Sequence, residues 1–150
     1  MLQINNISSE DIAHAERLIL PPGSKFDPER RAFIRNFNTL DLQAVPGSGK
    51  TTVLLAKLLV LAKKIDHSSQ GILVISHTNI AVNQIKQKIG KYCPQLFEYP
   101  NFIGTIQSFV DKYLTRPYYE RQYGAKISRI DSQLYYDSFF RIFPPQYQPS

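Results

Sequence analysis

Eight consecutive residues, Ala44-Val45-Pro46-Gly47-Ser48-Gly49-Lys50-Thr51, have the types and spacing of a phosphate-binding loop. Gly47 and Gly49 allow the backbone to curl until its N–H groups face phosphate oxygens. The Lys50 ammonium can reach the β- and γ-phosphates of a nucleoside triphosphate, and the Thr51 hydroxyl can ligate Mg²⁺. The loop therefore predicts binding of a nucleoside triphosphate, with ATP and Mg²⁺ as the expected cofactors.

Such a loop needs a strand before it and a helix after it, and the sequence predicts both. Residues 39–44 are expected to form a short strand, and residues 49–65 a helix whose apolar side chains lie nearly all round. The start of that helix would turn its positive dipole end toward the phosphates. These flanks favour a nucleotide site over the alternative, a glycine-rich turn that merely begins a helix.

The remaining pattern predicts strands and helices in alternation. Strands are expected over 72–75, a continuous apolar run typical of a central parallel strand, and over 101–104. Helices are expected over 10–20, 28–36, 79–91, 105–114 and 132–142. This order predicts an α/β fold in which helices flank a parallel sheet.

Composition narrows the class of protein and its partners. The chain has 18 Lys and Arg against 12 Asp and Glu, a net charge of +6 that favours a polyanion such as nucleic acid, although a soluble protein can be basic without one. Cys93 is the only cysteine, the N-terminus lacks the pattern of a signal peptide, and the apolar run 53–62 is too short to cross a bilayer. We therefore expect a cytoplasmic protein without a membrane partner.

Uncharged polar side chains follow two of the predicted strands. In an open α/β sheet, ligands bind beyond the carboxyl ends of the strands. Donors at this edge suit phosphate oxygens and sugars, and His77 could stack on a base, as could Tyr118 or Tyr119. From the residues alone, helix capping is favoured for the Thr, Asn and Ser side chains. For the tyrosines, a half-buried position in the core is an equal alternative to stacking. The uncharged polar residues are Thr78, Asn79, Thr105, Gln107 and Ser108.

Three blocks of the sequence, in the same order and at similar spacing, resemble the UvrD/Rep-like helicases of superfamily 1. They are the loop with its continuation, 44–54, the segment 72–82, similar to motif Ia of the family, and the segment 103–109, similar to its Gly-Thr-Phe-His-Ser block. The resemblance implies an incomplete RecA-like P-loop NTPase domain. Residues 1–114 would be the N-terminal part of the first ATP-binding domain, and residues 115–150 would begin an inserted helical subdomain.

The resemblance also implies an activity and a set of site residues. The intact protein would be an ATP-dependent DNA helicase that moves along single-stranded DNA in the 3′-to-5′ direction and unwinds duplex. Residues 44–52 and Arg30 would bind the nucleotide, with Lys50 and Thr51 catalytic and Thr51 on the metal. The DNA contacts would come from His77, Thr78, Asn79, Thr105, Gln107 and Ser108.

The sequence departs from the family at informative positions. Aligning 26–30 with the segment that precedes the loop puts Arg30 where the family has a glutamine that reads adenine. Thr52 stands where many relatives have an arginine, and Gln107 stands where the family has a histidine. Residues 79–85 also resemble the nonsense-decay-type branch of superfamily 1, which leaves that subfamily as an alternative.

Hydrolysis in this family needs an Asp-Glu pair at a strand end, and no such pair follows an apolar run in this chain. We therefore expect the 150 residues to be the front part of a longer helicase and to be inactive alone. The alternatives are another P-loop enzyme, such as a kinase, and an interaction module that binds through its tyrosine-rich last third.

Overall fold

The computed structural model describes residues 7–41, 47–65 and 70–128. The contacts within the chain divide it into two compact units, with the boundary between Phe109 and Val110. The predicted helix over 132–142 lies outside the described residues. Of the predicted strand over 39–44, residues 39–41 are irregular and the rest lies outside the described residues. The assignment of residues 115–150 to an inserted subdomain stays a prediction.

The first unit contains the helices α1 (Ser9–Ile19), α2 (Pro28–Arg35), α3 (Lys50–Lys64) and α4 (Asn79–Ile89). It also contains the strands β1 (Leu73–Ser76) and β2 (Phe102–Thr105), with a 3₁₀ turn at Pro94–Phe97 between α4 and β2. The short helix α5 (Ile106–Val110) follows β2 directly. Apart from the strand over 39–44 and the helix over 105–114, these elements confirm the helices and strands predicted for this part of the chain, with ends that differ by one or two residues.

The helix predicted over 105–114 is wrong at its C-terminal end. Helical backbone continues after α5 through a π-helical turn, Asp111–Thr115, and into α6 (Arg116–Tyr123). Pro117 has no N–H and would disrupt the bonding of a regular α-helix. The wider turn just before it is the kind of irregularity that accommodates such a break without ending the helix.

The two strands pair in parallel, with Leu73 opposite Phe102 and Ser76 opposite Thr105. This confirms the α/β class at the level of a small parallel sheet flanked by helices. The expectation of a strand covered on both faces is wrong for β1 as described, because Leu73 is 54% exposed and Ile75 is 43% exposed. Within the described residues the sheet has only these two strands.

The core of the first unit is built around α3. Seven of its side chains are buried, and they face α1, α2 and α4: Val53, Leu55, Ala56, Leu58, Leu59, Val60 and Ala62. The prediction of a helix buried on most sides is confirmed. Ile12 of α1, Ile34 of α2 and Ile89 of α4 are fully buried in the same cluster. No helix in the described ranges is long and apolar enough to span a membrane.

A buried carboxylate joins α1 to α2. Glu16 is only 3% exposed, and its Oε1 accepts hydrogen bonds from the Phe26 backbone N–H at 2.9 Å and from Arg31 Nε at 3.0 Å. Its Oε2 accepts a further bond from Arg31 Nη2 at 2.8 Å. A buried charge is tolerated when it is paired and hydrogen-bonded in this way. Glu16 thereby fixes both the connecting segment and the position of α2.

A partly buried cation holds α2 against α3. The Lys57 ammonium donates to the backbone carbonyl of Phe33 at 3.2 Å and to that of Asn36, and it lies 4.5 Å from the centre of the Phe33 ring. These carbonyls lie at the C-terminal end of α2, where a positive charge is favoured. Burial lowers the pKa of Lys57.

Cys93 follows α4 and lies in the core at 2% exposure. Its Sγ donates to the Ile89 carbonyl at 3.3 Å. Burial raises the pKa of the thiol to about 11.

The buried carboxylate yields a test of the fold. We expect Glu16→Gln to lower the free energy of unfolding by about 2–3 kcal/mol, because Arg31 loses its charged partner inside the protein. The control is Glu10→Gln, which changes an exposed residue of the same helix and should cost no more than about 0.5 kcal/mol. Urea unfolding followed by circular dichroism measures both variants, and equal losses would contradict this role of Glu16.

Candidate functional site

In the described part of the predicted phosphate loop, both glycines have a left-handed backbone. Gly47 and Gly49 adopt positive φ angles of 81° and 85°, and Lys50 begins α3 directly after them. A side chain would meet no other atom within 4 Å at either glycine, so glycine is needed for its backbone conformation rather than for space. Ala44, Val45 and Pro46 lie outside the described residues.

The start of α3 differs from the other helix starts in a way that suits binding of an anion. The helices α1, α2 and α4 each begin with a side chain that accepts from a backbone N–H, supplied by Ser8, Asp27 and Thr78. By contrast, α3 begins at Gly49 with no side-chain cap. The first N–H groups of a helix need partners, and phosphate oxygens can provide them.

Ser48 adds a second sign that the loop receives a ligand. Within the described residues, its hydroxyl is the buried side-chain polar atom that has no hydrogen-bond partner. Such atoms are rare in folded proteins because an unmade bond is costly. The loop residues therefore fit a nucleotide's phosphates, with Lys50 and Thr51 in the first turn of α3.

Arg30 contacts the phosphate loop, and its contact with a nucleotide stays a prediction. Its Nη2 donates to the Ser48 carbonyl at 2.8 Å, and its Nη1 forms an ion pair with Asp27. Asp27 also caps α2 by accepting from the Arg30 backbone N–H at 2.8 Å. Asp27 is thus the N-cap of α2, and the same carboxylate orients the guanidinium toward the loop.

A cavity of about 280 Å³ lies beside these contacts. Its lining combines apolar residues, residues of the loop and the start of α3, and further polar residues. In that order the residues are Leu20, Pro21 and Phe26; Ser48, Gly49 and Thr52; and Ser24, Lys25 and Arg30. Sequence reasoning missed Ser24, Lys25 and Phe26, since nothing local in the chain indicates that the segment after α1 folds back over the loop.

The two polar turns leave the sheet at the same edge. Ser76 and Thr105 are partners in the last pair of the parallel ladder, so the residues after both strands begin side by side. Asn79 and Gln107 are exposed in the first turns of α4 and α5. The sequence-based expectation that one edge presents both groups of side chains agrees with this register.

The structure also confirms that the two threonine side chains accept hydrogen bonds from backbone N–H groups at the starts of helices, as the capping interpretation predicts. The Thr78 hydroxyl accepts from the Ala81 N–H at 3.3 Å, and the Thr105 hydroxyl accepts from the Ser108 N–H at 3.2 Å. The Ser108 hydroxyl donates in turn to the Thr105 carbonyl at 2.9 Å. These bonds fix the two turns and leave His77 exposed beside them. Contact of these residues with DNA stays a prediction.

No group of three or more His, Cys, Asp or Glu side chains that could hold a metal ion occurs in the described ranges.

Comparison with known proteins gives two matches. A family profile described as UvrD/REP helicase N-terminal domain matches residues 27–148. The Gabija protein GajB of Bacillus cereus (strain VD045) is 29% identical over 114 residues, which are 76% of this chain and 22% of that protein. The chain therefore spans about a fifth of the length of this curated relative.

The glycine geometry predicts a selective loss of binding. We expect Gly47→Ala to weaken binding of a fluorescent ATP analogue by about tenfold or more, because the strained φ would turn the loop amides away from the phosphates. Gly124→Ala is the matched control: Gly124 also has a positive φ, of 66°, and open space around it, but it ends α6 in the other unit.

Both variants should lose about 1–2 kcal/mol of stability from the same backbone strain. Only Gly47→Ala should lose affinity in a fluorescence titration. Equal affinities for the two variants would contradict a phosphate-binding role for this loop.

Proposed function

Because the chain belongs to the UvrD/REP helicase family and matches its N-terminal domain, we propose that the whole protein uses ATP to move along single-stranded DNA and to separate the strands of duplex DNA. The proposed direction of movement is 3′ to 5′, and the proposed location is the cytoplasm. The observation that carries the proposal is the pair of left-handed glycines immediately before the uncapped start of α3.

The nucleotide would bind at residues 44–52 and Arg30. Lys50 would place its positive charge on the β- and γ-phosphates, and Thr51 would hold the magnesium ion that bridges them. Activation of the attacking water needs a carboxylate that the chain does not present in the expected pattern. That group would come from elsewhere in the whole protein, so the 150 residues alone would bind nucleotide weakly and would not hydrolyse it.

The DNA strand would run along the sheet edge where β1 and β2 end. His77, Thr78 and Asn79 would contact it from one turn, and Thr105, Gln107 and Ser108 from the other. Uncharged donors and helix N-termini that hold the DNA backbone give binding without sequence preference, as movement along a strand requires. The basic balance of the chain supports the same kind of partner.

The nonsense-decay-type branch of superfamily 1 stays as a second candidate, supported by the resemblance of residues 79–85 to that branch. Residues 115–150 would begin an inserted helical subdomain in either case. A P-loop kinase and a non-catalytic interaction module are the remaining alternatives, and the first experiment below separates them from a helicase.

Substitution of Lys50 tests whether the whole protein hydrolyses ATP as a DNA helicase does. In the whole protein, we expect ATP hydrolysis to be stimulated by single-stranded DNA and Lys50→Ala to reduce it by about 100-fold or more, since a phosphate clamp is lost. Lys63→Ala is the control, because Lys63 is an exposed lysine at the other end of α3.

A phosphate-release assay measures hydrolysis, and duplexes with a 3′ or a 5′ tail report the direction of unwinding. Hydrolysis that ignores DNA would favour the kinase alternative. A Lys50→Ala protein with unchanged behaviour would favour the interaction module.

Asn79 gives the test of the DNA edge. We expect Asn79→Ala to weaken binding of a single-stranded oligonucleotide by about fivefold, the value of one lost hydrogen bond. Asn83 is also exposed and lies one turn further along α4, so Asn83→Ala should leave the affinity unchanged. Fluorescence anisotropy of a labelled oligonucleotide with the whole protein measures both affinities. If Asn79→Ala binds as tightly as Asn83→Ala, Asn79 does not contact the DNA.

A further inference from the structure

The second unit presents a largely exposed aromatic ring. Tyr118 of α6 is 68% exposed, and it forms no hydrogen bond or ring contact with a described residue. The half-buried position in the core, which the sequence left open for the tyrosines, is therefore wrong for Tyr118. An exposed tyrosine keeps a flat apolar face in water, and a flat ligand can cover that face.

Tyr118 lines an open cavity of about 580 Å³ in the same unit. The π-helical turn contributes Tyr113, Leu114 and Thr115 to the lining, and α6 contributes Pro117, Tyr118 and Arg121. Leu114 is 58% exposed, so apolar surface continues beside the ring. Turns of this type occur frequently at functional sites. The volume also falls in the range of roughly 300–1,000 Å³ that is typical of pockets for small organic groups.

Arg121 places a positive charge beside the ring. It lies three residues after Tyr118, and side chains at this spacing are neighbours on the surface of a helix. Arg121 is exposed, and it takes part in none of the ion pairs between described residues. Its planar guanidinium is therefore available to a phosphate next to a group that is stacked on Tyr118.

The charge of the second unit favours a polyanionic partner. Residues 110–128 carry four cationic side chains against two carboxylates; the cations are Lys112, Arg116, Arg121 and Lys126, and the carboxylates are Asp111 and Glu120. Aromatic side chains and arginine are common at protein interfaces as well. An excess of positive charge beside an exposed ring is, however, the combination with which proteins hold single-stranded nucleic acid, because rings stack on bases and cations pair with phosphates.

We infer that Tyr118 stacks on a base of single-stranded DNA and that Arg121 pairs with a neighbouring phosphate, so that this cavity is a DNA contact in addition to the sheet edge. The inference rests on the proposed function, because it takes single-stranded DNA as the partner. Every base has a flat face, so a stacked tyrosine accepts any sequence. Such a contact is compatible with movement along a strand.

The test separates contact with the base from contact with the backbone. Its probes are a labelled oligothymidylate and a labelled abasic strand of the same length, each titrated with the whole protein and followed by fluorescence anisotropy. We expect Tyr118→Ala to weaken binding of the oligothymidylate by about tenfold, the value of one stacked base, and to leave the affinity for the abasic strand unchanged. Tyr118→Phe keeps the ring and should bind both strands as the wild-type protein does.

Two further variants test the phosphate contact and the choice of ring. Arg121→Gln should weaken binding of both strands to a similar degree and reduce the slope of log affinity against log salt concentration by about 0.7, since one phosphate contact is lost. Tyr123→Ala is the matched control and should change neither affinity. Tyr123 is an exposed tyrosine of the same helix, but it lies outside the cavity, and its ring packs against Tyr119 with the ring centres 4.6 Å apart.

Thermal unfolding of each variant shows whether a lower affinity reflects a loss of folded protein. If Tyr118→Ala binds the oligothymidylate as the wild-type protein does, or weakens both strands equally, the stacking contact is wrong and the proposed function stands. An Arg121→Gln protein with unchanged affinity and salt dependence overturns the phosphate contact. If the wild-type protein binds neither strand, the proposed function fails and the inference fails with it.

Discussion

The buried carboxylate of Glu16 is the constraint on which the arrangement around the phosphate loop depends. It receives the Phe26 backbone N–H and two nitrogens of Arg31, and so it fixes the start of α2 relative to α1. Arg30 is the neighbour of Arg31 in that same helix, and its contact with Ser48 requires α2 to lie where Glu16 holds it. An ionic contact in the core therefore sets the geometry of a surface site.

The helix α3 links the site to the rest of the first unit. Its first turn offers backbone N–H groups, and Lys57 in its middle donates to backbone carbonyls at the C-terminal end of α2. In its last turn, Lys64 Nζ lies 2.9 Å from Asp11 Oδ2 of α1. The hydrogen bond from Lys64 holds the pKa of Asp11 below its usual value. Polar contacts thus fix an otherwise apolar helix at several points along its length, which limits its freedom to shift when a ligand binds at its start.

Local rules predicted most of the fold, and contacts distant in sequence escaped them. The apolar periods that predict the helices depend on neighbouring residues, and the structure confirms α1 to α4. The bond from Arg30 to Ser48 joins residues 18 positions apart and follows from tertiary packing, so the sequence did not predict it. The helical backbone beyond residue 114 was not predicted, because the π-helical turn before Pro117 has no sequence signature. The exposure of Leu73 could not be predicted, since an apolar run does not reveal how many strands cover it.

The buried thiol of Cys93 has a practical consequence for fluorescence labelling of this chain. Thiol reagents attack the thiolate, and burial together with a pKa of about 11 keeps that form scarce at neutral pH. Because the sequence contains no other cysteine, a single engineered one at an exposed position would carry a dye with little background. Fluorescent probes can therefore be attached at chosen surface positions of this chain without first replacing Cys93.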